Sequence, residues 1–358
     1  MPLRQRVDIR TREDYVSKKR LLPVALAVPV IALVALLLAG TGGAAHKATL
    51  KAALVSDVGR FNDKGFNQNQ LTGLEAAHTA LGVEIRAVES HSAGDYIPNM
   101  ASLARQKFDA IIAAGFLLAD AEATVAKKFP GTQFAITDYP VEIPPFSDKT
   151  GKLVVPNITG ITFRAEQQSY LVGCLSALMA KKGGGNTISA VGGIKIPPVD
   201  SFIAGYKAGA AKCVPGTKVL VGYSQDFVAQ DKCKAVAENQ IAAGSKVVFA
   251  VAGPCGFGAL AAAKEGGVWG DGVDVDQSYL GPHILTSAVK RVDLGVFRFV
   301  QAVQAGTLTP GHDFVFDLKN GGVALGKISS KVPAAYVAKV NSLKEQIIAG
   351  TIKPPSSF

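Results

Sequence analysis

Two stretches of this chain repeat one grammar, and that repeat limits the fold more than any other feature. DAIIAAGFLLADAEATVAKKFPGTQFAITD ends at Asp138, and KVVFAVAGPCGFGALAAAKEGGVWGDGVD ends at Asp274. Each reads as an apolar run, a glycine, an alanine-rich helical stretch, a second apolar run and a closing acid. Gly115 to Lys127 is twelve residues and Gly253 to Lys264 eleven; the acids follow eleven and ten further on. Apolar runs of strand length alternating with helical stretches predict parallel sheets covered by helices. Two copies predict two similar α/β lobes rather than a solenoid.

The alternation extends on both sides of each copy. KAALVS, a loop, LTGLEAAHTALG and VEIRAVE precede the first; TISAVGGI, SFIAGYKAGAAKC and TKVLVGY precede the second. A length of 358 residues fits two domains, and 48% apolar against 18% charged residues allows a sizeable core. In open parallel sheets, ligands bind outside the carboxyl ends of the strands. The informative residues are therefore those from Asp57 onward, Gly115 to Asp120, Asp138, Ile194 to Phe202, Gly253 to Gly258, and Asp274. If the two sheets face each other, these loops line the cleft between them.

The N-terminus sets the compartment. Residues 1–20 hold seven Lys or Arg against three Asp or Glu, and Leu21–Gly40 carries no charge. Twenty apolar residues span a bilayer, and the basic flank predicts a cytoplasmic N-terminus. Leu21–Gly40 is thus expected to be a signal-anchor or signal-peptide helix, with the remainder exported. Beyond residue 45 the chain has 31 basic and 25 acidic residues, about +6. It shows no Lys/Arg run interleaved with aromatics, so nucleic acid is not an expected partner. Export permits disulfides among Cys174, Cys213, Cys233 and Cys255, with Cys213–Cys233 the expected pair. No C-x-x-C or His spacing suggests a metal.

Gly256-x-Gly258-x-x-Ala261, with Asp276 twenty residues after Gly256, imitates a dinucleotide fingerprint. Export and the single glycine in the matching repeat segment argue against an oxidoreductase, and the glycines are expected to let backbone N–H groups approach a ligand. No nucleophile elbow, H-E-x-x-H or P-loop is present, and the five histidines are scattered. The expectation is a protein that is not an enzyme and has no cofactor.

DVGRFNDKGFNQNQ, Asp57 to Gln70, holds three Asn, two Gln and two Phe behind the first strand. With GDYIPNMASL, AAGFLLADA, NITGITFRAEQQSYLVGCLSALMAKK, GYKAGA, GVDVDQ and LTSAVKRVD, it resembles the basic membrane protein family over residues 50–305. That family comprises substrate-binding components of ABC importers, including the purine nucleoside receptor type. The resemblance implies a type I periplasmic-binding-protein fold, two Rossmann-like lobes with parallel sheets joined by a hinge. Lobe one is expected at 47–163 and 286–315, and lobe two at 164–285 and 316–358. It further implies a nucleoside ligand, an ABC permease and ATPase as partners, and a membrane tether through the N-terminal helix. A sensor of the same fold is the alternative.

Carried over residue by residue, Asp57, Phe66 and Asn67 face the base, and Phe202 completes a stack from the second lobe, with Phe227 as fallback. Asp138, Asp274 and Lys290 match the ribose-binding group. Gly253 lies at the second lobe's strand-end loop, and Asp120 is a further candidate. The chemistry fits: two aromatics can sandwich a purine while an amide and a carboxylate read its edge. A carboxylate can accept both hydroxyls of a diol. The remaining amides of the loop and Asp63 are expected to hold the loop's own shape. The chain departs from lipoprotein relatives at Thr41, where an anchoring cysteine would stand. Cys255 is expected at the pocket lip, and the short SYLGPHIL segment to reshape the ribose side.

Overall fold

A computed structural model describes residues 49–358. The expected helix Leu21–Gly40 lies outside them. Among the described residues no helix is long and apolar enough to cross a membrane.

The first sheet is built from β1 (Lys51–Ser56), β2 (Glu84–Val88), β3 (Ala110–Ala114), β4 (Gln133–Thr137) and β5 (Ile158–Phe163), with β11 (Asp313–Phe316) added from late in the chain. Helices α1 (Phe66–Leu81), α2 (Tyr96–Arg105) and α3 (Ala119–Ala126) connect its strands. The second sheet takes β6 (Thr187–Gly192), β7 (Lys218–Tyr223), β8 (Val247–Val251), β9 (Trp269–Asp274), β10 (Ile284–Lys290) and β12 (Val323–Leu325). Its helices are α4 (Ala165–Lys182), α5 (Pro197–Cys213), α6 (Gln230–Ala242), α7 (Gly256–Glu265) and α9 (Ala334–Ile348), while α8 (Val292–Ala305) returns to pack on α1.

The sheet orders are β2-β1-β3-β4-β5-β11 and β7-β6-β8-β9-β10-β12, one strand order used twice. All pairings are parallel except β10 with β12. The repeat read from sequence is β3-α3-β4 in one lobe and β8-α7-β9 in the other. Strand residues alternate between faces, as the period of two requires. Ala53, Val55, Ile111 and Ala113 enter one core of the first lobe, and Ala52, Leu54, Ala110 and Ile112 the other.

The chain passes between the sheets at Arg164, at Arg291 and after Phe316. Because β10 pairs with β9 and β12, the second crossing falls at Arg291, and residues 286–290 belong to the second sheet. Arg164 (φ −79°, ψ 64°) and Arg291 (φ −80°, ψ 62°) share one conformation, close to an inverse γ-turn. The Arg164 N–H donates to the Phe316 carbonyl at 2.8 Å, and the Arg291 N–H to the Gly322 carbonyl at 2.9 Å. Both crossings are thereby tied to the strand-to-strand segment that makes the third.

Helices α4 and α5 meet backbone to backbone. A Cβ on Gly173, Gly205 or Gly209 would collide with the carbonyl of Tyr206, Glu166 or Tyr170.

The disulfides are Cys174–Cys213 and Cys233–Cys255, so the expected Cys213–Cys233 pair is corrected. The reason is layer geometry. Cys174 and Cys213 belong to the core formed with α4 and α5, whereas Cys233 and Cys255 belong to the core beneath α6 and α7. The second sheet separates them.

Candidate ligand-binding site

The carboxyl ends of both sheets face a single cleft of about 680 Å³, its open mouth included. Asp57, Phe66, Asn67 and Asp138 line it from the first lobe; Phe202, Gly253, Asp274 and Lys290 line it from the second. Phe227, the fallback aromatic, lines it as well. Asp120 does not: it is exposed on the first turn of α3, where the helix turns its side chain toward solvent. Phe116, Leu117, Ile196, Pro198 and Val199 also line the cleft, and individual side-chain reasoning missed them. Their position directly after β3 and β6 was the available signal.

The loop after β1 is organised by Asp63. Its carboxylate accepts the N–H groups of Gly65, Asn67 and Gln68 at 2.8, 2.9 and 3.0 Å, satisfying the exposed donors at the start of α1. That places Phe66 and Asn67 at the cleft wall. Asn67 donates Nδ2–H to Asp57 Oδ1 at 3.3 Å, and the Gly59 N–H donates to the same oxygen at 3.1 Å. Burial pushes the Asp57 carboxyl up to about 6, although these two donors favour its charged form.

Not all the loop's amides serve the loop. Gln68 does, accepting from the Lys64 N–H. Gln70 instead accepts the Thr137 hydroxyl at 2.7 Å, bracing the residue before Asp138. Asn69 donates to the Lys290 carbonyl and to Asp293 Oδ1, both at 3.4 Å. The expectation that these amides hold only their own loop is corrected for Gln70 and Asn69.

At the other end of the cleft, Lys290 Nζ lies 2.6 Å from Asp138 Oδ2 and 3.7 Å from Asp274 Oδ1. The first contact joins the two lobes. Burial alone would lower the lysine's pKa, but Asp138 and Asp274 outweigh it and the ammonium is held charged. Burial raises Asp274 to about 6 against the pull of Lys290. The same ammonium stands 4.6 Å from the Phe66 ring centroid and 5.2 Å from that of Phe202. Phe202 also packs edge-on to Phe249, so it serves the core and the cleft together.

Asp138 and Asp274 close equivalent strands and adopt φ of 67° and 65°, the left-handed region unusual for non-glycine residues. Holding an aspartate there costs about 1–2 kcal/mol, a strain typical of residues aimed at a ligand.

Three expectations about the second lobe are revised. Cys255 turns into its disulfide with Cys233, leaving Gly253 and Pro254 at the lip. Gly258 is a packing residue: a Cβ there would strike the Gln230 backbone, and Asp276 accepts from its own neighbour Ser278. Gly258 thus brings α7 against α6, and Gly256 sits against Ala250 of β8. Tyr279 and Leu280 of SYLGPHIL border the mouth beside Val58 and Lys64 rather than the Lys290 end.

Residues 50–357 match the family described as Bmp, ABC transporter substrate-binding protein PnrA-like. The chain belongs to this family. Among similar proteins, the ABC transporter nucleoside-binding protein BmpA of Lactococcus lactis is 33% identical over 341 residues, covering 88% of this chain and 92% of that protein. The CD4+ T-cell-stimulating antigen of Listeria monocytogenes is 32% identical over 325 residues, covering 85% and 87%. An ABC transporter solute-binding protein of Aeropyrum pernix superposes with a TM-score of 0.75 at 23% identity, over 85% of this chain and 92% of that one. This Bmp-family chain is therefore an ABC-transporter substrate-binding protein with the periplasmic-binding-protein fold, and its inter-lobe cleft is the candidate ligand site.

Proposed function

We propose that this protein captures a purine nucleoside between its lobes and delivers it to an ABC permease and its ATPase. The observation that carries the reading is the pair of rings, Phe66 from one lobe and Phe202 from the other, beside one buried ammonium. An aromatic from each lobe suits a flat base, for which stacking contributes about 1–3 kcal/mol per ring. Asp138, Asp274 and Lys290 supply acceptors and a donor matched to ribose hydroxyls. The nucleoside-binding name of the Lactococcus relative supports the same ligand class. Ligand contacts from both lobes favour the closed arrangement, with Arg164, Arg291 and the segment after Phe316 as the hinge. The apolar segment Leu21–Gly40 tethers the protein on the extracytoplasmic face.

Calorimetric titration of the full chain against nucleosides, free bases, sugars and dinucleotides tests this. Purine nucleosides should bind, and Phe66→Ala should weaken them by about 10- to 100-fold. Clear sugar or dinucleotide binding with none for nucleosides would sink it.

A further inference from the structure

Asp138 and Asp274 both stand in the left-handed region, and the chain beyond each is fastened in the same way. Three residues past Asp138, the Val141 N–H donates to Asp313 Oδ1 at 3.0 Å. Three residues past Asp274, the Gln277 N–H donates to Ser287 Oγ at 3.0 Å. Each acceptor lies opposite a strand glycine in register, Asp313 opposite Gly160 and Ser287 opposite Gly272. A Cβ on Gly160 would collide with the Asp313 carboxylate and the Tyr139 carbonyl. One on Gly272 would collide with Ser287 Oγ and the Gln277 side chain. The glycines leave the room that acceptor and turning chain share. Both corners are fastened a second time. Ser147 donates its hydroxyl to the Val141 carbonyl at 2.7 Å, and Gln277 Oε1 accepts the Val273 N–H at 3.1 Å. The lobes differ only in place: glycine and acceptor sit on β5 and β11 in the first, on β9 and β10 in the second.

We propose that Asp313 and Ser287 are positioning residues, which keep Asp138 and Asp274 aimed at Lys290 through the N–H three residues beyond each acid. The proposal rests on the cleft being the ligand site, and neither residue lines that cleft itself. A non-glycine residue at positive φ relaxes toward the extended or right-handed regions unless its surroundings hold it. Asp138 Oδ2 and Asp274 Oδ1 lie 2.6 and 3.7 Å from Lys290 Nζ. Rotation at either corner would carry its carboxylate off the ammonium. Val141 and Gln277 are buried, and a buried N–H needs a partner in any case, which a water or a carbonyl could supply. What Asp313 and Ser287 add is direction, because each acceptor is rooted in a strand of the sheet rather than in the turning segment. The same offset met by two different side chains is what a shared demand on the two acids requires.

The test compares the full chain with Asp313→Ala, Asp313→Asn and Ser287→Ala, by crystal structure and by calorimetric titration with guanosine, inosine and adenosine. In Asp313→Ala, Asp138 should leave its left-handed φ and lose Lys290, while Asp274 keeps its place. Ser287→Ala should do the reverse. Nucleoside affinity should fall about tenfold in each folded variant, the equivalent of one hydrogen bond. Asp313→Asn keeps an oxygen for the Val141 N–H, so it should retain the geometry and most of the affinity. A general loosening of β11 would not be rescued in this way. Both aspartates unmoved in the folded alanine variants, or nucleoside affinity unchanged in them, overturns the proposal. If Asp313→Ala does not fold, Ser287→Ala, which removes one oxygen, carries the same decision. If no nucleoside binds the unaltered chain, the proposed ligand falls. The positions of Asp138 and Asp274 in the variant structures then decide the proposal by themselves.

Discussion

Lys290 Nζ, carried by the second lobe, lies 2.6 Å from Asp138 Oδ2, carried by the first. Their side chains are 4% and 10% exposed, so this pair is screened little by salt and joins the lobes at the site itself. Removing one member leaves the other's charge buried. Lys290→Met should therefore abolish measurable ligand binding and cost about 3–5 kcal/mol of stability. Calorimetry and denaturant melts check the two effects separately.

The pH dependence of binding follows from Asp57, raised by burial to about 6. Asp63 and Tyr96 are the titratable groups that interact with it, and Asn67 with the Gly59 N–H are its donors. Above pH 6 its carboxylate accepts from the ligand; below pH 6 it binds a proton that must be displaced. On the proposed nucleoside function, ligand affinity should fall as pH drops through 6, by up to about tenfold per unit. Titrations between pH 5 and 8 measure this slope.

Asp271 provides a separate test on stability. It is fully buried in the second lobe, accepts the Ser176 hydroxyl at 2.6 Å, and burial raises its pKa to about 8. The folded chain thus holds this proton more tightly than the unfolded chain, whose carboxyl titrates near its ordinary value. Stability should decline as pH rises from about 4 to about 8 and level off above. Asp271→Asn should flatten that decline, and melting temperatures across the range would show it.

The two disulfides should separate in function. Cys233–Cys255 ties α6 to the turn carrying Gly253 and Pro254 at the cleft, whereas Cys174–Cys213 joins α4 to the end of α5. Each closes a loop worth about 3–4 kcal/mol in the chain-entropy account. Replacing either pair with serines should lower the melting temperature. Only loss of Cys233–Cys255 should also weaken the ligand.

Gly258→Ala distinguishes packing from cofactor binding. Its methyl would strike the Gln230 backbone, so a destabilisation of about 1–3 kcal/mol is expected. Thermal melting should register it, and dinucleotide titrations should be silent in both forms.

Much of this architecture was legible in the chain. Apolar runs of five or six residues followed by alanine-rich stretches led to two parallel-sheet lobes. The matching distances from Gly115 to Asp138 and from Gly253 to Asp274 aligned the lobes, because strand and helix periods are local properties of sequence. Strand ends then located most of the cleft, including Asp57, Asp138 and Asp274. Asp120 failed because helix phase, rather than distance along the chain, decides where its side chain points.

What the tertiary structure alone decided were relations between distant elements. The cysteines nearest in order lie on opposite faces of one sheet, so layer assignment overrode sequence spacing in their pairing. Gly256 and Gly258 read like a dinucleotide fingerprint, and only the approach of β8 to the first and of α6 to the second reveals them as packing residues. In the opening loop, Asp63 and Gln68 stay local while Gln70 and Asn69 reach β4 and β10. An amide's partner depends on what the fold brings within about 3 Å of it, and sequence records no such distance.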